Sequence, residues 1–117
     1  MHSAGDQSDN LSDLAGALRD FAQARDWERY HTPKNLAMAL AGEAGELVAC
    51  FQWLTPDESA SVMHDPRTAA DVESELADVL QYLIRLADVL GVDLAEAVRA
   101  KMQINETRFP VGGAEGI

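Results

Sequence analysis

Two pairs of carboxylates, each with its members three residues apart, are the side chains of this sequence best suited to chemistry. The pairs are Glu43-x-x-Glu46 and Glu75-x-x-Asp78. In a helix, this spacing places both members of a pair on one face, about one turn apart. Two such helices packed side by side would gather the carboxylates in a small volume, where like charges repel and raise each other's pKa. A hard divalent cation with oxygen ligands relieves that repulsion, so the pattern predicts a Mg²⁺ site and chemistry on a polyphosphate.

Apolar periodicity places both pairs on helices and predicts an all-α bundle of four helices. Thr32 followed by Pro33 is typical of a helix start, and Gly91 is typical of the residue after a helix end. Thr68 with Asp71 resembles a capping box. The predicted helices cover residues 10–25, 33–53, 69–90 and 93–109. No segment alternates between apolar and polar residues as a half-buried strand would.

Both acidic pairs lie at the edge of the apolar stripe of their helix rather than opposite to it. The simpler interpretation is that these carboxylates are ordinary surface residues, but such residues more often lie opposite the apolar stripe. Two pairs that both border the stripe therefore fit this interpretation less well than one pair would. Gly42 and Gly45 interrupt the same stretch, and each costs up to ~1 kcal/mol relative to Ala in a helix. The apolar stripe nevertheless continues to Phe51. We therefore expect a partner helix or a ligand to approach the backbone at these glycines.

Polar residues also occupy the apolar face of the fourth predicted helix over its last two turns. They are Lys101, Asn105 and Arg108. A lysine stem can reach water from an apolar face, which would explain Lys101 alone. For the three residues together, contacts to the phosphate and sugar of a ligand are as good an explanation as exposure to water. Trp53 shares the flank of Glu46 and is a candidate platform for stacking a base, although tryptophan in a small chain is more often part of the core.

Composition excludes some classes of partner. Twenty acidic residues against nine basic ones give a net charge of −11, which disfavours polymeric nucleic acid because that binding depends on Lys and Arg. No apolar run reaches the ~20 residues of a membrane span, and the first residues lack the pattern of a signal peptide. The single cysteine, Cys50, predicts a reducing cytoplasm. Residues 1–9 are expected to be disordered, residues 10–110 to form one domain, and residues 111–117 to be a flexible tail.

Taken together, these residues give the sequence a family resemblance. Glu43-x-x-Glu46, then 28 residues, then Glu75-x-x-Asp78 resembles the signature of the MazG-like all-α nucleoside triphosphate pyrophosphohydrolases. The similarity is greatest to the dCTP pyrophosphatase branch. Further matching segments are Arg25-Asp26-Trp27-Glu28, Phe51-Gln52-Trp53 and Val92-Asp93-Leu94.

The resemblance implies hydrolysis of the α–β phosphoanhydride of a dNTP, giving the monophosphate and pyrophosphate in nucleotide-pool house-cleaning. The substrate would be dCTP or a modified dCTP, and Mn²⁺ could substitute for Mg²⁺. Glu43, Glu46, Glu75 and Asp78 would bind the metal. The nucleotide-pocket residues would be Trp27, His31, Trp53 and Tyr82, and the phosphate and sugar contacts would be Lys101, Asn105 and Arg108. A homotetramer built as a dimer of dimers is also implied.

One departure and one alternative accompany this interpretation. Leu18 stands where related eukaryotic enzymes carry a base-contacting histidine, so the preference for cytosine could be broader here. The alternative is a non-enzymatic helical bundle that binds divalent ions or a protein partner. It explains the acidic flanks, but it explains neither the polar face that carries Lys101 nor the placement of Trp53.

Overall fold

A computed structural model describes the backbone of residues 6–112 and the side chains of residues 10–112. Over this range the chain is helical and contains no strand, which confirms the predicted all-α fold. The helices are α1 (Asp6–Ala24), α2 (Pro33–Ala49), α3 (Pro56–Ser59), α4 (Pro66–Leu90) and α5 (Leu94–Arg108). The predicted four-helix bundle corresponds to α1, α2, α4 and α5. The four-residue α3 lies inside the connection that was expected to be a loop.

Local capping explains several helix ends. The Thr32 side chain accepts a hydrogen bond from the Asn35 amide at 3.2 Å, and Asp93 does the same for the Glu96 amide at 3.1 Å. These bonds satisfy backbone donors that the first turn leaves free. Gly91 follows α4 with a φ of 73°, in the left-handed region that favours glycine. The three corresponding helix boundaries were predicted correctly from the sequence.

Other boundaries were predicted wrongly. Helix α4 begins at Pro66 because Asp65, not Thr68, is its N-cap and accepts from the Arg67 amide at 2.9 Å. Helix α2 ends at Ala49 rather than at Trp53, since the chain then enters a series of tight turns.

The start of the first helix also differs from expectation. Helix α1 begins at Asp6, so residues 6–9 of the segment predicted to be disordered have helical backbone. Residues 1–5 and 113–117 lie outside the described residues, so disorder there stays a prediction.

Helix α4 is the central element, with α2 packed along one side and α1 along another. Helix α5 makes its principal contact with α1. Among residues 10–112 the buried apolar side chains are few: Ala22, Leu36, Val72, Ile84 and Ala87. The radius of gyration is 17.1 Å, whereas ~13 Å is usual for a compact domain of about 100 residues. The described helices therefore form an open arrangement with a small core.

Large apolar side chains are exposed on two of these helices. On α4 they include Leu76 and Leu80, exposed by 52% and 42%, and on α5 they include Val98 and Met102, exposed by 55% and 59%. Each of these two helices thus leaves large apolar side chains in contact with solvent. None of the described helices is both long and apolar enough to cross a bilayer.

Candidate active site

Packing of α2 against α4 brings three of the four predicted carboxylates together. Glu43 on α2 meets Glu75 and Asp78 on α4, and one oxygen from each lies within 4.8 Å of the others. All three residues are partly buried. Oxygen ligands around a Mg²⁺ ion, at about 2.1 Å from it, are separated by up to ~4 Å. The carboxylate cluster, defined as Glu43, Glu75 and Asp78, therefore has dimensions close to those of a divalent-cation site.

The electrostatics of Glu75 fit the same interpretation. Its Oε1 atom is buried and has no hydrogen-bond partner among the described residues. Burial, and then the neighbouring carboxylates of Glu43, Asp78 and Glu46, raise the pKa of Glu75. A buried acceptor without a donor is costly, and so is a set of adjacent like charges. A cation bound at the carboxylate cluster would relieve both costs, so these residues fit a metal ion.

Glu46 lies near the carboxylate cluster but outside it. Its side chain is exposed, although its charge contributes to the raised pKa of Glu75. Cys50, one turn further along, donates through Sγ to the Glu46 carbonyl oxygen at 3.6 Å. Burial, and then the charges of Glu75, Asp71 and Glu46, raise the pKa of the Cys50 thiol. Negative charge is therefore concentrated around the carboxylate cluster, and Glu46 is an exposed carboxylate beside it.

A cavity of about 310 Å³ adjoins the carboxylate cluster. Glu43 and Asp78 form part of its wall, together with Trp27, His31 and Tyr82. The remaining lining residues are Leu18, Phe21, Ala22, Gln81 and Arg85. Pockets for small molecules have volumes from about 300 Å³ upward and are mainly apolar with a few polar groups. Three of the four predicted nucleotide-pocket residues thus share one cavity with two members of the cluster.

The turn after α1 places the aromatic side chains of this cavity. Asp26 adopts a φ of 56°, and the following Trp27 amide donates back to the Ala22 carbonyl at 2.9 Å. The Trp27 ring then packs edge-to-face against Phe21, with 5.6 Å between ring centroids. Asn35 ties this connection to α2 by donating to the Tyr30 carbonyl at 3.0 Å. The chain reversal therefore holds the aromatic wall between α1 and α2.

Arg85 lines the cavity but received no role in the sequence analysis. In the structure its guanidinium is buried, and Nε donates to Nδ1 of His31 at 3.0 Å. Nη1 donates to Asp88 at 3.0 Å, and Asp88 also accepts two bonds from Arg19. Burial, and then the charge of Arg85, lower the pKa of His31. The periodicity of α4 could have suggested Arg85, but its contact with His31 spans 54 residues of sequence.

Several predicted residues lie away from the cavity. Trp53 is 86% exposed, and none of Lys101, Asn105 and Arg108, all on α5, lines the 310 Å³ space. No other helix of the described chain approaches Gly42 or Gly45, because nothing outside the adjoining backbone lies within 4 Å of a Cβ built at either residue. Approach by a ligand or by another subunit stays a prediction. A second cavity, of about 520 Å³ between α1 and the start of α5, contains none of the predicted site residues.

Known proteins resemble this chain in sequence and in structure. A profile described as the MazG-like family matches residues 39–117. Human dCTP pyrophosphatase 1 is 47% identical over 100 residues, covering 86% of this chain and 59% of that protein. The bovine protein of the same name is 43% identical, covering 91% and 63%. The chain thus spans less than two thirds of the length of these curated relatives.

Two further relatives widen the comparison. A dATP/dGTP diphosphohydrolase of cyanophage S-2L is 38% identical over 76 residues, covering 65% of this chain and 56% of that protein. The crystal structure of a pyrophosphatase from Archaeoglobus fulgidus superposes with a TM-score of 0.80 and 40% sequence identity, covering 94% of this chain and 96% of the other. Sequence and fold therefore agree on one family.

Proposed function

Because the chain belongs to the MazG-like family, we propose that it is a Mg²⁺-dependent nucleoside triphosphate pyrophosphohydrolase. The reaction is cleavage of the α–β phosphoanhydride of a dNTP to the monophosphate and pyrophosphate, in nucleotide-pool house-cleaning. The observation that carries the proposal is that the residues suited to a metal ion and those suited to a nucleotide base line the same cavity. Glu43 and Asp78, which suit a metal, form one wall of the cavity whose other walls include Trp27 and His31.

The metal would be held by Glu43, Glu75 and Asp78. When bound, Mg²⁺ supplies neutralisation of the triphosphate charge and polarisation of the phosphoryl oxygens, and Mn²⁺ can take its place. Glu43 and Glu46 are both candidates for holding the attacking water. Glu43 is committed to the carboxylate cluster, so the exposed Glu46 is the better candidate for accepting the proton of that water. The water oxygen forms a bond to phosphorus, and the bond to the bridging oxygen breaks as pyrophosphate leaves.

The base would occupy the cavity between Trp27, His31 and Tyr82. Stacking on aromatic rings tolerates any base, at ~1–3 kcal/mol per base, so the choice of base must come from edge contacts. We propose dCTP or a base-modified dCTP as substrate. The identity of 47% to a protein named dCTP pyrophosphatase 1, against 38% to one named for dATP and dGTP, supports this choice. The net charge of −11 argues for a small nucleotide rather than a nucleic acid.

The missing part of the site is proposed to come from other copies of the chain. Helix α5 carries Lys101, Asn105 and Arg108 away from the described cavity, and the apolar surfaces of α4 and α5 are exposed. A homotetramer, built as a dimer of dimers, would bury those surfaces. It would also bring the α5 cations and Trp53 to the pocket of a neighbouring subunit. The single cysteine supports a reducing cytoplasm as the compartment.

Incubation with dCTP and Mg²⁺, followed by separation of the products, tests the reaction. We expect dCMP and pyrophosphate, with loss of both on chelation. Glu75→Gln should abolish product formation, and Glu73→Gln, an exposed carboxylate on the same helix, should not. Orthophosphate without pyrophosphate would indicate a different reaction. If no dNTP yields a monophosphate, the non-enzymatic alternative is correct.

A further inference from the structure

Arg85 is a charged residue in the protein core with no part in the proposed metal site. It is 6% exposed and lies on α4 among apolar neighbours such as Ile84 and Ala87. A buried charge is costly unless it is paired and hydrogen-bonded. The partners of this guanidinium are the ring of His31 and the carboxylate of Asp88. One side of Arg85 thus faces the cavity wall, and the other faces an anion.

The contact with His31 determines which ring nitrogen carries the hydrogen. A guanidinium donates hydrogen bonds and cannot accept them. Because Arg85 Nε lies 3.0 Å from Nδ1 of His31, Nδ1 must be the acceptor, and the hydrogen of the neutral ring must be on Nε2. Nδ1 is then closed to any ligand. Burial and the charge of Arg85 also lower the pKa of His31, which keeps the ring neutral near pH 7.

Asp88 holds Arg85 in this position. It accepts from Arg85 Nη1 at 3.0 Å, and it accepts from Nε and Nη2 of Arg19 at 2.9 and 2.6 Å. The burial of Asp88 is considerable, with 16% of its side chain exposed. Paired charge-assisted bonds of this kind fix direction as well as distance. A series of side-chain hydrogen bonds, Arg19–Asp88–Arg85–His31, therefore links α1 through α4 to the connection before α2.

From this geometry we propose that Arg85, anchored by Asp88, is a positioning residue that fixes His31 as an Nε2–H donor toward the acceptor edge of a cytosine base. The inference rests on the proposed function, because it assigns the base to the same cavity. O2 is an acceptor in every pyrimidine base and does not distinguish them. N3 is an acceptor in cytosine, whereas it carries a hydrogen in uracil and thymine. A donor with fixed polarity therefore accepts cytosine and opposes the other pyrimidines at that position. Leu18, also on the cavity wall, offers no competing edge contact.

Nitrogen NMR of the full chain with ¹⁵N-labelled histidine tests the tautomer directly. The chain contains three histidines, and His31→Gln identifies the signals of His31. We expect an unprotonated Nδ1 and a protonated Nε2 in the native protein at neutral pH. In Arg85→Met the Nδ1 signal should shift, because its hydrogen bond is lost. A protonated Nδ1 in the native protein would overturn the inference, and this outcome does not depend on whether Arg85→Met folds.

Equilibrium binding of non-hydrolysable α,β-imido analogues of dCTP and dUTP tests the consequence for recognition. The native protein should prefer the cytosine analogue, and Arg85→Met should lose about tenfold or more of that preference, as expected for one edge hydrogen bond. Arg85→Lys should restore part of it, since a donor is retained. Asp88→Asn, which leaves Arg85 present but unanchored, should give an intermediate loss.

Arg99→Met is the matched control. Arg99 also pairs with a carboxylate three residues away, Glu96, but lies exposed on α5, so the preference should be unchanged. An unchanged preference in Arg85→Met would refute the inference, even if pyrophosphate release is normal and the proposed function stands. Conversely, analogues bound with the expected preference but no pyrophosphate released from dCTP would refute the proposed function and leave the inference standing.

Discussion

Arg19 donates two parallel hydrogen bonds to the carboxylate of Asp88, from Nε at 2.9 Å and from Nη2 at 2.6 Å. The pair joins α1 to α4, two helices that are 69 residues apart at these positions. The hydrogen bond from Arg19 is the main cause of a lowered pKa for Asp88. In a protein whose buried core is small, this partly buried ion pair is a substantial cross-link between helices.

We expect Asp88→Asn to destabilise the fold by ~1–3 kcal/mol at neutral pH, since charge-assisted hydrogen bonds to two guanidiniums are weakened. The folded-state pKa of Asp88 lies below its ordinary value of 3.8. Its contribution to stability is therefore present above pH 3.8 and is lost as the pH falls through the lower folded value. Chemical denaturation of the two proteins at pH 7 and near pH 3 measures this. Equal differences at both pH values would contradict the prediction, and Glu96→Gln at an exposed pair is the control.

Divalent metal should stabilise the fold through the carboxylate cluster. Binding to the native state alone adds about 2.7 kcal/mol when the free metal is 100 times its Kd. The unfolding temperature of the native protein should therefore rise with Mg²⁺ and fall with chelator, as thermal scans would record. Glu73→Gln should respond in the same way, whereas Glu75→Gln should not. A response of equal size in Glu75→Gln would place the metal elsewhere.

Without metal, Glu75→Gln should be more stable than the native protein at neutral pH. The pKa of Glu75 is raised above its ordinary 4.5, so the folded state favours the protonated form. The stability associated with this group is present below pH 4.5 and is lost as the pH rises through the higher folded value. The advantage of Glu75→Gln should therefore appear at neutral pH and vanish in acid. Denaturation curves in chelator at pH 4 and pH 7.5 compare the two, and an advantage independent of pH would rule out ionisation as its cause.

Subunit mixing can show whether α5 serves the pocket of another copy. Glu75→Gln and Lys101→Ala proteins should each be inactive, but random exchange of subunits should rebuild sites with both groups intact. With equal amounts of each, about a quarter of the shared sites would be complete in a symmetric assembly. Pyrophosphate release from the mixture measures this recovery. No recovery, or a 12.7 kDa species in light scattering, would mean that each chain works alone.

Base choice is decided by comparing kcat/KM for dCTP, 5-methyl-dCTP, dTTP, dUTP and dATP. We expect a cytosine nucleotide to have the highest value, because the cavity of about 310 Å³ combines aromatic walls with the proposed edge donor at His31. The margin over dUTP should be greatest, since the two bases differ mainly in the hydrogen at N3 and the group at C4. A purine nucleotide with the highest value would overturn the assignment of the pocket while leaving the reaction intact.

The sequence predicted those features that depend on neighbouring residues. Thr32, Gly91 and Asp93 were placed correctly, because capping is decided within a few residues. Glu43 could be predicted to meet Glu75 and Asp78, since both helices carry these groups beside their apolar stripes.

Features that depend on distant geometry could not be predicted. The sequence did not separate Glu46 from the carboxylate cluster, because that separation depends on how α2 is rotated against α4. Nor did it pair Arg85 with His31, since no local pattern links residues 54 positions apart. Asp65 was missed as the cap of α4 because Thr68 offered an equally plausible start.

Gly42 and Gly45 lower the stability of α2 and leave open space on that helix. Space around both is open, so alanine would fit and would strengthen α2 by up to ~1 kcal/mol at each position. That open space lies on the helix that carries Glu43 and Glu46, and the proposed function brings a substrate or a neighbouring subunit to this helix. Under that proposal, methyl groups at these two positions would narrow the approach to the carboxylate cluster. Gly42→Ala and Gly45→Ala should therefore raise the stability of the fold and lower turnover.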